Sequence, residues 1–201
     1  MKRARIIYNP TSGREAFKKH LPEVLEKLEK AGYEASCHAT TGAGDATKAA
    51  IEAVEREFDI VIACGGDGTL NEVVAGISQC EKRPKLGLIP MGTTNDFARA
   101  VHIPRNVEEA INIIIKGDTI PVDVGLVNDD NYFINIAAGG RITELTYEVP
   151  SKMKTMLGQM AYYLKAVEMI PSIKATQMNI KIDDEEFEGN AMMFLCALTN
   201  S

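Results

Sequence analysis

The chain has 201 residues, of which 45% are hydrophobic and 25% charged, and its net charge of −6 argues against nucleic acid as the main partner. No apolar run approaches the length of a membrane span, and the apolar stretch near the basic N-terminus is far too short for a signal peptide. The four cysteines are widely separated and lack metal-ligand spacing, which is typical of reduced thiols. The sequence therefore predicts a globular, cytoplasmic protein without a transmembrane segment.

The first predicted strand, Arg5 to Tyr8, ends in a turn rich in hydrogen-bonding groups. The turn residues are Asn9, Pro10, Thr11, Ser12 and Gly13. Their hydroxyl, amide and backbone donors suit the phosphates or the ribose of a nucleotide, although a plain turn would look the same. Apolar residues at helical spacing then predict a helix over residues 17–28, which Gly32 ends.

The second predicted strand, Tyr33 to Ala39, ends at Thr40. A loop of small residues then leads into a helix over 46–54 with alanines at helical spacing. Open α/β sheets bind ligands outside the carboxyl ends of their strands. We therefore expect Thr40 at the ligand-binding edge, beside the glycine turn of the third strand.

The third predicted strand, Ile60 to Cys64, is continuously apolar, as in a strand buried on both faces of a sheet. The turn after it contains the glycines Gly65, Gly66 and Gly68. These positions let the backbone approach a ligand closely, and Thr69 is predicted to cap the helix that follows. The free N–H groups and the dipole of that helix would form an anion site.

Asp67 lies in the middle of this turn and decides its chemistry. A carboxylate there would repel a phosphate unless a cation lies between them, so we expect a nucleotide bound with a divalent metal. The turn lacks the Gly-Lys-Ser/Thr of a Walker A loop and the third glycine of a dinucleotide fingerprint. Glu72 projects from the first turn of the helix, where it could reach a metal or a ribose. Taken alone, this stretch could also be an ordinary tight turn.

The fourth predicted strand, Lys85 to Pro90, leads into another small-residue turn, from Met91 to Asp96. Asp96 places a second carboxylate on the same edge of the sheet, although it could simply cap the short helix that follows. Asn106 is predicted to cap a further helix, which Gly117 ends.

The alternation of strand and helix ends near residue 120. Strands over 121–127 and 132–136 are predicted to form a hairpin about the turn residues 128–131. We place the domain boundary there, with an α/β domain over 1–120 and a second domain over 121–201.

The second domain is predicted to contain a further hairpin, from strands over 176–182 and 187–198. A stretch rich in methionine, tyrosine and lysine over 150–169 would either accept an acyl chain at a membrane face or pack as a helix on the second sheet. The last strand is apolar on both faces from Met192 to Leu198, so it needs a neighbour on its open side. The sequence thus predicts a truncated chain or another source of that neighbour, and it leaves a homodimer open.

Three motifs stand in order at predicted strand ends. They are Asn9-Pro-Thr-Ser-Gly13, Gly65-Gly-Asp-Gly-Thr-Leu-Asn-Glu72, and Gly92-Thr-Thr-Asn-Asp96 with Ala98-Arg99. Together they resemble the catalytic domain of the diacylglycerol kinases, and the soluble bacterial members most closely. The resemblance runs from Arg3 to Ser201. It implies a doubly wound α/β nucleotide-binding domain followed by part of an antiparallel β-sandwich domain.

The resemblance also implies a reaction, the transfer of the γ-phosphoryl group of ATP to diacylglycerol at the inner membrane face, which gives phosphatidic acid for phospholipid biosynthesis. Asp67 would engage Mg²⁺ directly or through water, Asp96 would support that network, and Asp123 is a weaker candidate. The nucleotide-binding residues would be Asn9, Pro10, Thr11, Ser12, Gly13, Thr40, Gly66, Asp67, Gly68, Thr69, Leu70, Asn71, Glu72 and Thr93. The proton acceptor of the family would lie downstream of Ser201.

Two other functions stay open. NAD kinases also carry Gly-Gly-Asp-Gly-Thr, so a kinase of a soluble substrate is one alternative. Against it, Asn71 and Glu72 follow the turn directly, and the later loop ending at Asp96 has the diacylglycerol kinase form. The other alternative is a non-catalytic nucleotide-binding module.

Overall fold

The computed structural model describes residues 1–12, 17–140 and 175–198, which fall into two compact units. The first comprises Met1–Asn135 with Leu198, and the second runs from Ile136 to Ala197. The domain boundary at residue 120 stays a prediction. Gly13 and the predicted methionine-rich segment over 150–169 lie outside the described residues.

The first unit is built on a parallel sheet in the strand order β2-β1-β3-β4. Its elements are β1 (Lys2–Tyr8), α1 (Phe17–Lys30), β2 (Tyr33–Ala39), α2 (Asp45–Glu55), β3 (Ile60–Gly65), α3 (Asp67–Ser78), β4 (Lys85–Pro90), α4 (Asp96–Ala100), α5 (Val107–Lys116), β5 (Gly125–Val127) and β6 (Asn131–Phe133). Strand order with β1 inside the sheet is typical of doubly wound folds. The predicted fold class is confirmed.

The core lies on both faces of this sheet, which explains the continuously apolar sequence of β3. All six residues of β3 are buried. Val61 and Ala63 pack in the cluster formed with α2 and α3, whereas Ile62 packs in the cluster formed with α1 and α5. Because side chains alternate between the faces of a strand, a strand covered by helices on both sides has no solvent-exposed face. Each of its positions therefore favours an apolar residue.

Helices α2 and α3 cross at close range because a glycine lies at their contact. A Cβ atom on Gly76 of α3 would lie 2.5 Å from the carbonyl oxygen of Thr47 and 2.8 Å from the Cβ atom of Ala50, both in α2. The Thr47 hydroxyl also donates a hydrogen bond to the carbonyl of Glu72 at 3.0 Å. This contact brings the start of α2 next to the first turns of α3.

The ends of several elements confirm local predictions. The Asn106 side chain accepts a hydrogen bond from the Glu109 N–H at 3.1 Å, so it caps α5 as predicted. Gly117 ends that helix with a φ of 82°. The strands β2 and β4 have the predicted bounds.

Other predicted boundaries were wrong. Helix α3 begins at Asp67 with Gly66 as its N-cap, so Thr69 is not the cap. Strand β1 starts at Lys2 rather than Arg5, because its pairing with β2 extends it. The hairpin after residue 120 is shorter than predicted, since the ladder between β5 and β6 covers only Gly125–Val127 and Asn131–Phe133.

The second unit contains antiparallel strands, as predicted. They are β7 (Ile136–Gly139), β8 (Thr176–Ile182), β9 (Glu185–Ala191) and β10 (Phe194–Ala197), and they pair as β8 with β9 and β7 with β10. The predicted single strand over 187–198 is therefore two strands with different partners. The change of partner comes at Met192, whose carbonyl oxygen would lie 2.4 Å from a Cβ atom on Gly140.

Candidate functional site

The carboxyl ends of the four parallel strands meet at one edge of the sheet. The first residue after each of three strands donates a backbone hydrogen bond to the end of the neighbouring strand. The Asn9 N–H donates to the Cys64 carbonyl at 3.0 Å, the Thr40 N–H to the Tyr8 carbonyl at 2.9 Å, and the Met91 N–H to the Gly65 carbonyl at 2.8 Å. The motifs that are distant in the sequence thus lie side by side. This is the edge at which open α/β sheets bind ligands.

Packing requires two of the glycines at this edge. A Cβ atom on Gly92 would lie 2.4 Å from the Cα atom of Gly66, and one on Gly65 would lie 2.4 Å from the hydroxyl oxygen of Thr69. Real Cβ atoms do not approach other atoms so closely. The turns after β3 and β4 therefore touch through their backbones.

Gly68 is a different case, because no described atom apart from its chain neighbours and the backbone of its own helix lies within 4 Å of the position that its Cβ atom would take. Its φ is not positive, so the backbone does not require glycine either. Gly68 is exposed and belongs to the first turn of α3. The space beside it is open to a ligand.

That space belongs to a cleft of about 330 Å³, a size suited to a small molecule. The cleft is lined by Asn9, Thr11, Thr40, Thr41, Gly42, Ala43, Ala46, Gly68, Thr69 and Glu72. It brings together predicted nucleotide-binding residues from the ends of β1, β2 and β3. Hydroxyl groups and one carboxylate make its lining polar.

The turn after β1 forms one wall of the cleft. The Asn9 side-chain oxygen accepts hydrogen bonds from the Thr11 N–H at 2.9 Å and from the Thr11 hydroxyl at 2.8 Å. The Ser12 N–H donates to the Asn9 carbonyl at 3.2 Å. Asn9 therefore fixes the shape of this turn.

The loop after β2 also lines the cleft and is held by Asp45, a residue that the sequence analysis missed. One oxygen of Asp45 accepts hydrogen bonds from the Thr41 N–H at 2.7 Å and from the Thr41 hydroxyl at 2.9 Å, and it lies 3.2 Å from Nε2 of His38. The Thr41 N–H is the main cause that lowers the pKa of Asp45, with the hydroxyl and His38 adding to it. An aspartate at the start of a helix has too many structural uses for its sequence position alone to reveal this contact.

Glu72 lies between the two helices that border the cleft. Its Oε2 atom accepts a hydrogen bond from the Ala46 N–H at 3.1 Å. Helix α2 has Gly44 as its N-cap and no side-chain cap of its own, so Glu72 takes that role from α3. Its contact with a ribose or a metal stays a prediction.

Asp67 and Asp96, the predicted catalytic residues, are the first residues of α3 and α4, the helices that follow β3 and β4. The Oδ1 atom of half-buried Asp67 accepts a hydrogen bond from the Phe97 N–H at 3.3 Å, so it links α3 to α4. Asp96 forms an ion pair with Arg99 in the first turn of α4, and the N-cap there is Asn95. Neither carboxylate is among the described residues that line the 330 Å³ cleft. Their catalytic roles stay predictions.

Leu70, Asn71 and Thr93 also lie outside the cleft lining as described. Leu70 is a core residue that is 2% exposed. The Asn71 side-chain oxygen accepts a hydrogen bond from the Ile134 N–H at 3.2 Å. Thr93 is exposed in the turn after β4. Their nucleotide contacts stay predictions.

Asn95 is a second residue that the sequence analysis quoted in a motif without assigning it a role. It is 4% exposed and has a φ of 53°. Its side chain accepts a hydrogen bond from the Gly92 N–H at 2.8 Å and donates one to the Gly92 carbonyl at 2.8 Å. Asparagine tolerates the left-handed conformation better than most residues, so Asn95 closes this turn at little cost.

The carboxylates near the cleft suit a metal ion that is held partly by the protein and partly by the phosphates of a ligand. In the described parts of the chain, no three His, Cys, Asp or Glu side chains cluster closely enough to form a metal cage. Mg²⁺ commonly keeps several waters and binds through one or two carboxylates plus the phosphates of a substrate. Asp67 beside an open helix N-terminus has the donor chemistry for that second arrangement.

The parallel sheet and its helices define a doubly wound α/β protein with a cleft at the carboxyl edge of the sheet. A family model described as the diacylglycerol kinase catalytic domain matches residues 3–127. The chain belongs to the diacylglycerol kinase catalytic domain family.

Curated relatives and a solved structure agree with this assignment. A diacylglycerol kinase from Bacillus subtilis is 64% identical in sequence to this chain, and the match covers all of this chain and 66% of that protein. For a diacylglycerol kinase from Staphylococcus epidermidis the identity is 58%, over all of this chain and 63% of that protein. A crystal structure of a diacylglycerol kinase from Bacillus anthracis matches with a TM-score of 0.74 and 31% identity, over 96% of this chain and 63% of that one. The chain thus spans slightly less than two thirds of the length of these proteins.

Proposed function

We propose that this chain carries the nucleotide-binding part of an ATP-dependent lipid kinase that converts diacylglycerol to phosphatidic acid. The observation that carries the proposal is Gly68, which neither packing nor backbone conformation explains and which borders a polar cleft at a helix start. The names of the similar proteins from Bacillus subtilis and Staphylococcus epidermidis support the choice of substrate.

The first turn of α3 is the proposed phosphate site. Its N-cap, Gly66, has no side chain to satisfy the first N–H groups of the helix. The Leu70 N–H is bonded to the Gly66 carbonyl at 3.1 Å, so the donors that remain are those of Asp67, Gly68 and Thr69. Free N–H groups and the positive end of the dipole favour an anion at this place.

Asp67 is the proposed ligand of Mg²⁺, directly or through water. One of its oxygens is bonded to the Phe97 N–H, which fixes the orientation of the carboxylate toward the neighbouring turn. When bound, the metal would neutralise charge on the phosphates of ATP. Asp96 would support this arrangement from α4, where Arg99 balances its charge.

The remaining parts of the proposal concern the second half of the chain and the membrane. We place the nucleotide-binding domain over 1–120 and part of an antiparallel β-sandwich domain over 121–201. None of the helices in the described ranges is long and apolar enough to span a bilayer. As part of the same proposal, the enzyme would meet diacylglycerol as a peripheral protein at the cytoplasmic face.

Nucleotide binding is the first test. Calorimetric titration of this chain with ADP and Mg²⁺ should show binding at a single site, and crystals soaked with ADP should place it between Gly68 and Thr40. Absence of binding, or density for ADP elsewhere, would overturn the nucleotide site.

The second test concerns the acceptor of the phosphoryl group. A chain of the same length as the curated relatives should be used, because the family resemblance implies a proton acceptor beyond Ser201. With radiolabelled ATP, diacylglycerol in detergent micelles should become labelled, and NAD in the same assay should not. Labelling of NAD alone would favour the soluble-substrate kinase, and labelling of neither would favour a non-catalytic binding module.

A further inference from the structure

Arg105 lies between α4 and α5 and reaches back to the turn after β4. Its Nη2 atom donates hydrogen bonds to the carbonyl oxygen of Thr93 at 2.6 Å and to that of Thr94 at 3.0 Å. One guanidinium nitrogen thus holds two consecutive peptide groups. The sequence shows only an exposed arginine after a proline, with no signal for this contact.

The orientation of the two carbonyls sets the orientation of the amides that follow them. In a trans peptide group the carbonyl and the next N–H point in opposite directions. The N–H groups of Thr94 and Asn95 therefore point away from Arg105. Among the described residues, neither of them donates a hydrogen bond to another protein group.

The other hydrogen bonds of the turn after β4 do not hold the peptide groups of Thr93 and Thr94. The Asn95 side chain closes the turn at Gly92, and the Met91 N–H ties its start to β3. Neither contact fixes the peptide groups of Thr93 and Thr94, which among the described residues are held by Arg105 alone. The turn would lose its fixed peptide orientation at this point without the guanidinium.

The charge of Arg105 is also available to a ligand. In the part of the chain that the structure describes, no carboxylate pairs with it, whereas Arg99 on α4 is paired with Asp96. Arg105 thus adds uncompensated positive charge to the turn that carries Thr93. Both effects, oriented donors and positive charge, favour an anion over an uncharged ligand.

We propose that Arg105 is a positioning residue for the phosphate groups of the nucleotide: it holds the peptide groups of the turn at Thr93 in the orientation that binds phosphate. This role rests on the proposed function. Arg105 itself acts through the turn rather than on the reacting atoms.

The test compares ligands with and without phosphate. ADP and adenosine are titrated separately, by ¹⁵N NMR, into the wild-type chain, Arg105→Ala, Arg105→Lys and the control Arg83→Ala. Arg83 is an exposed arginine near the start of β4, at the opposite edge of the sheet. The spectra also report whether each variant is folded.

Arg105→Ala should weaken ADP binding about tenfold, the usual effect of losing a charge-assisted hydrogen bond, and leave adenosine binding within about twofold. Arg105→Lys should recover part of the ADP affinity, because an ammonium group keeps the charge and can reach a carbonyl. Arg83→Ala should match the wild type.

Equal losses for ADP and adenosine would show a purely structural role and overturn the proposal, as would an unchanged ADP affinity. If Arg105→Ala does not fold, the same comparison with Arg105→Lys decides: a loss confined to ADP supports the role, and any other result overturns it. Failure of the wild type to bind ADP would instead overturn the proposed function together with this inference.

Discussion

Gly68, in the first turn of α3, could be a glycine because the fold requires it or because a ligand does, and replacing it with alanine distinguishes the two reasons. If the glycine served the fold, the new methyl group would strain it. Apart from its chain neighbours and the backbone of its own helix, no described atom lies within 4 Å of the Cβ position, and φ is not positive. The added methyl group therefore finds room in the protein without a ligand.

The fold should gain from this substitution, because alanine favours a helix over glycine by up to about 1 kcal/mol. For a chain of this size that corresponds to a rise in Tm of about 2–4 °C. A bound phosphate, in contrast, would meet the methyl group where the first turn of α3 is open. Overpacking of this kind costs about 1–3 kcal/mol, or a loss in ADP affinity of roughly 5- to 150-fold.

Gly76→Ala is the matched control in the same helix. There a Cβ atom would lie 2.5 Å from the carbonyl oxygen of Thr47, so the contact between α2 and α3 must open. We expect a loss of about 1–3 kcal/mol in the free energy of unfolding. ADP affinity, measured where the variant is folded, should stay near that of the wild type.

Thermal unfolding and calorimetric titration with ADP provide both quantities for each variant. We expect Gly68→Ala to gain stability and lose ADP affinity, and Gly76→Ala to lose stability while its ADP affinity stays near that of the wild type. A Gly68→Ala variant that binds ADP as the wild type does would refute the assignment of this turn to phosphate. A large loss of stability would refute the argument from open space.

Three further predictions concern side chains of the same edge. Asp67→Asn should abolish the effect of Mg²⁺ on ADP affinity without unfolding the chain, measured by titration with and without Mg²⁺; an unchanged Mg²⁺ effect would exclude Asp67 as the ligand. Asn95→Ala should lower the free energy of unfolding by about 2–4 kcal/mol in urea, because it removes both hydrogen bonds to Gly92 and leaves a non-glycine residue at positive φ; Asn95→Gly should lose less. Asp45 has a folded-state pKa below its ordinary value of 3.8, so its contribution is present above that pH and is lost as pH falls through the folded value. Asp45→Asn should therefore lose stability at pH 7 but flatten the decline below about pH 4, as urea unfolding across that range would show.

The location of the site was predictable because it depends on local patterns. Apolar runs indicate buried strands, and small residues after them indicate turns at the carboxyl edge. These patterns predict that Asn9, Thr40, Gly68 and Glu72 lie at one edge, and all four line the cleft. The supporting residues were not predictable. Asp45 and Arg105 act through backbone groups whose positions depend on how whole elements pack.

The sequence by itself determined the order of the elements, the burial of β3 on two faces and the cap of α5 at Asn106, because each depends on side-chain periodicity or on neighbours a few residues away. Tertiary structure alone distinguished the glycines: Gly92 and Gly76 are required by neighbours that are distant in the chain, whereas Gly68 faces open space. It also decided that Glu72 caps α2. The physical reason is that such contacts form only when α3 is packed against α2 and the turn after β4. They join residues that are far apart in the sequence, so no local sequence pattern predicts them.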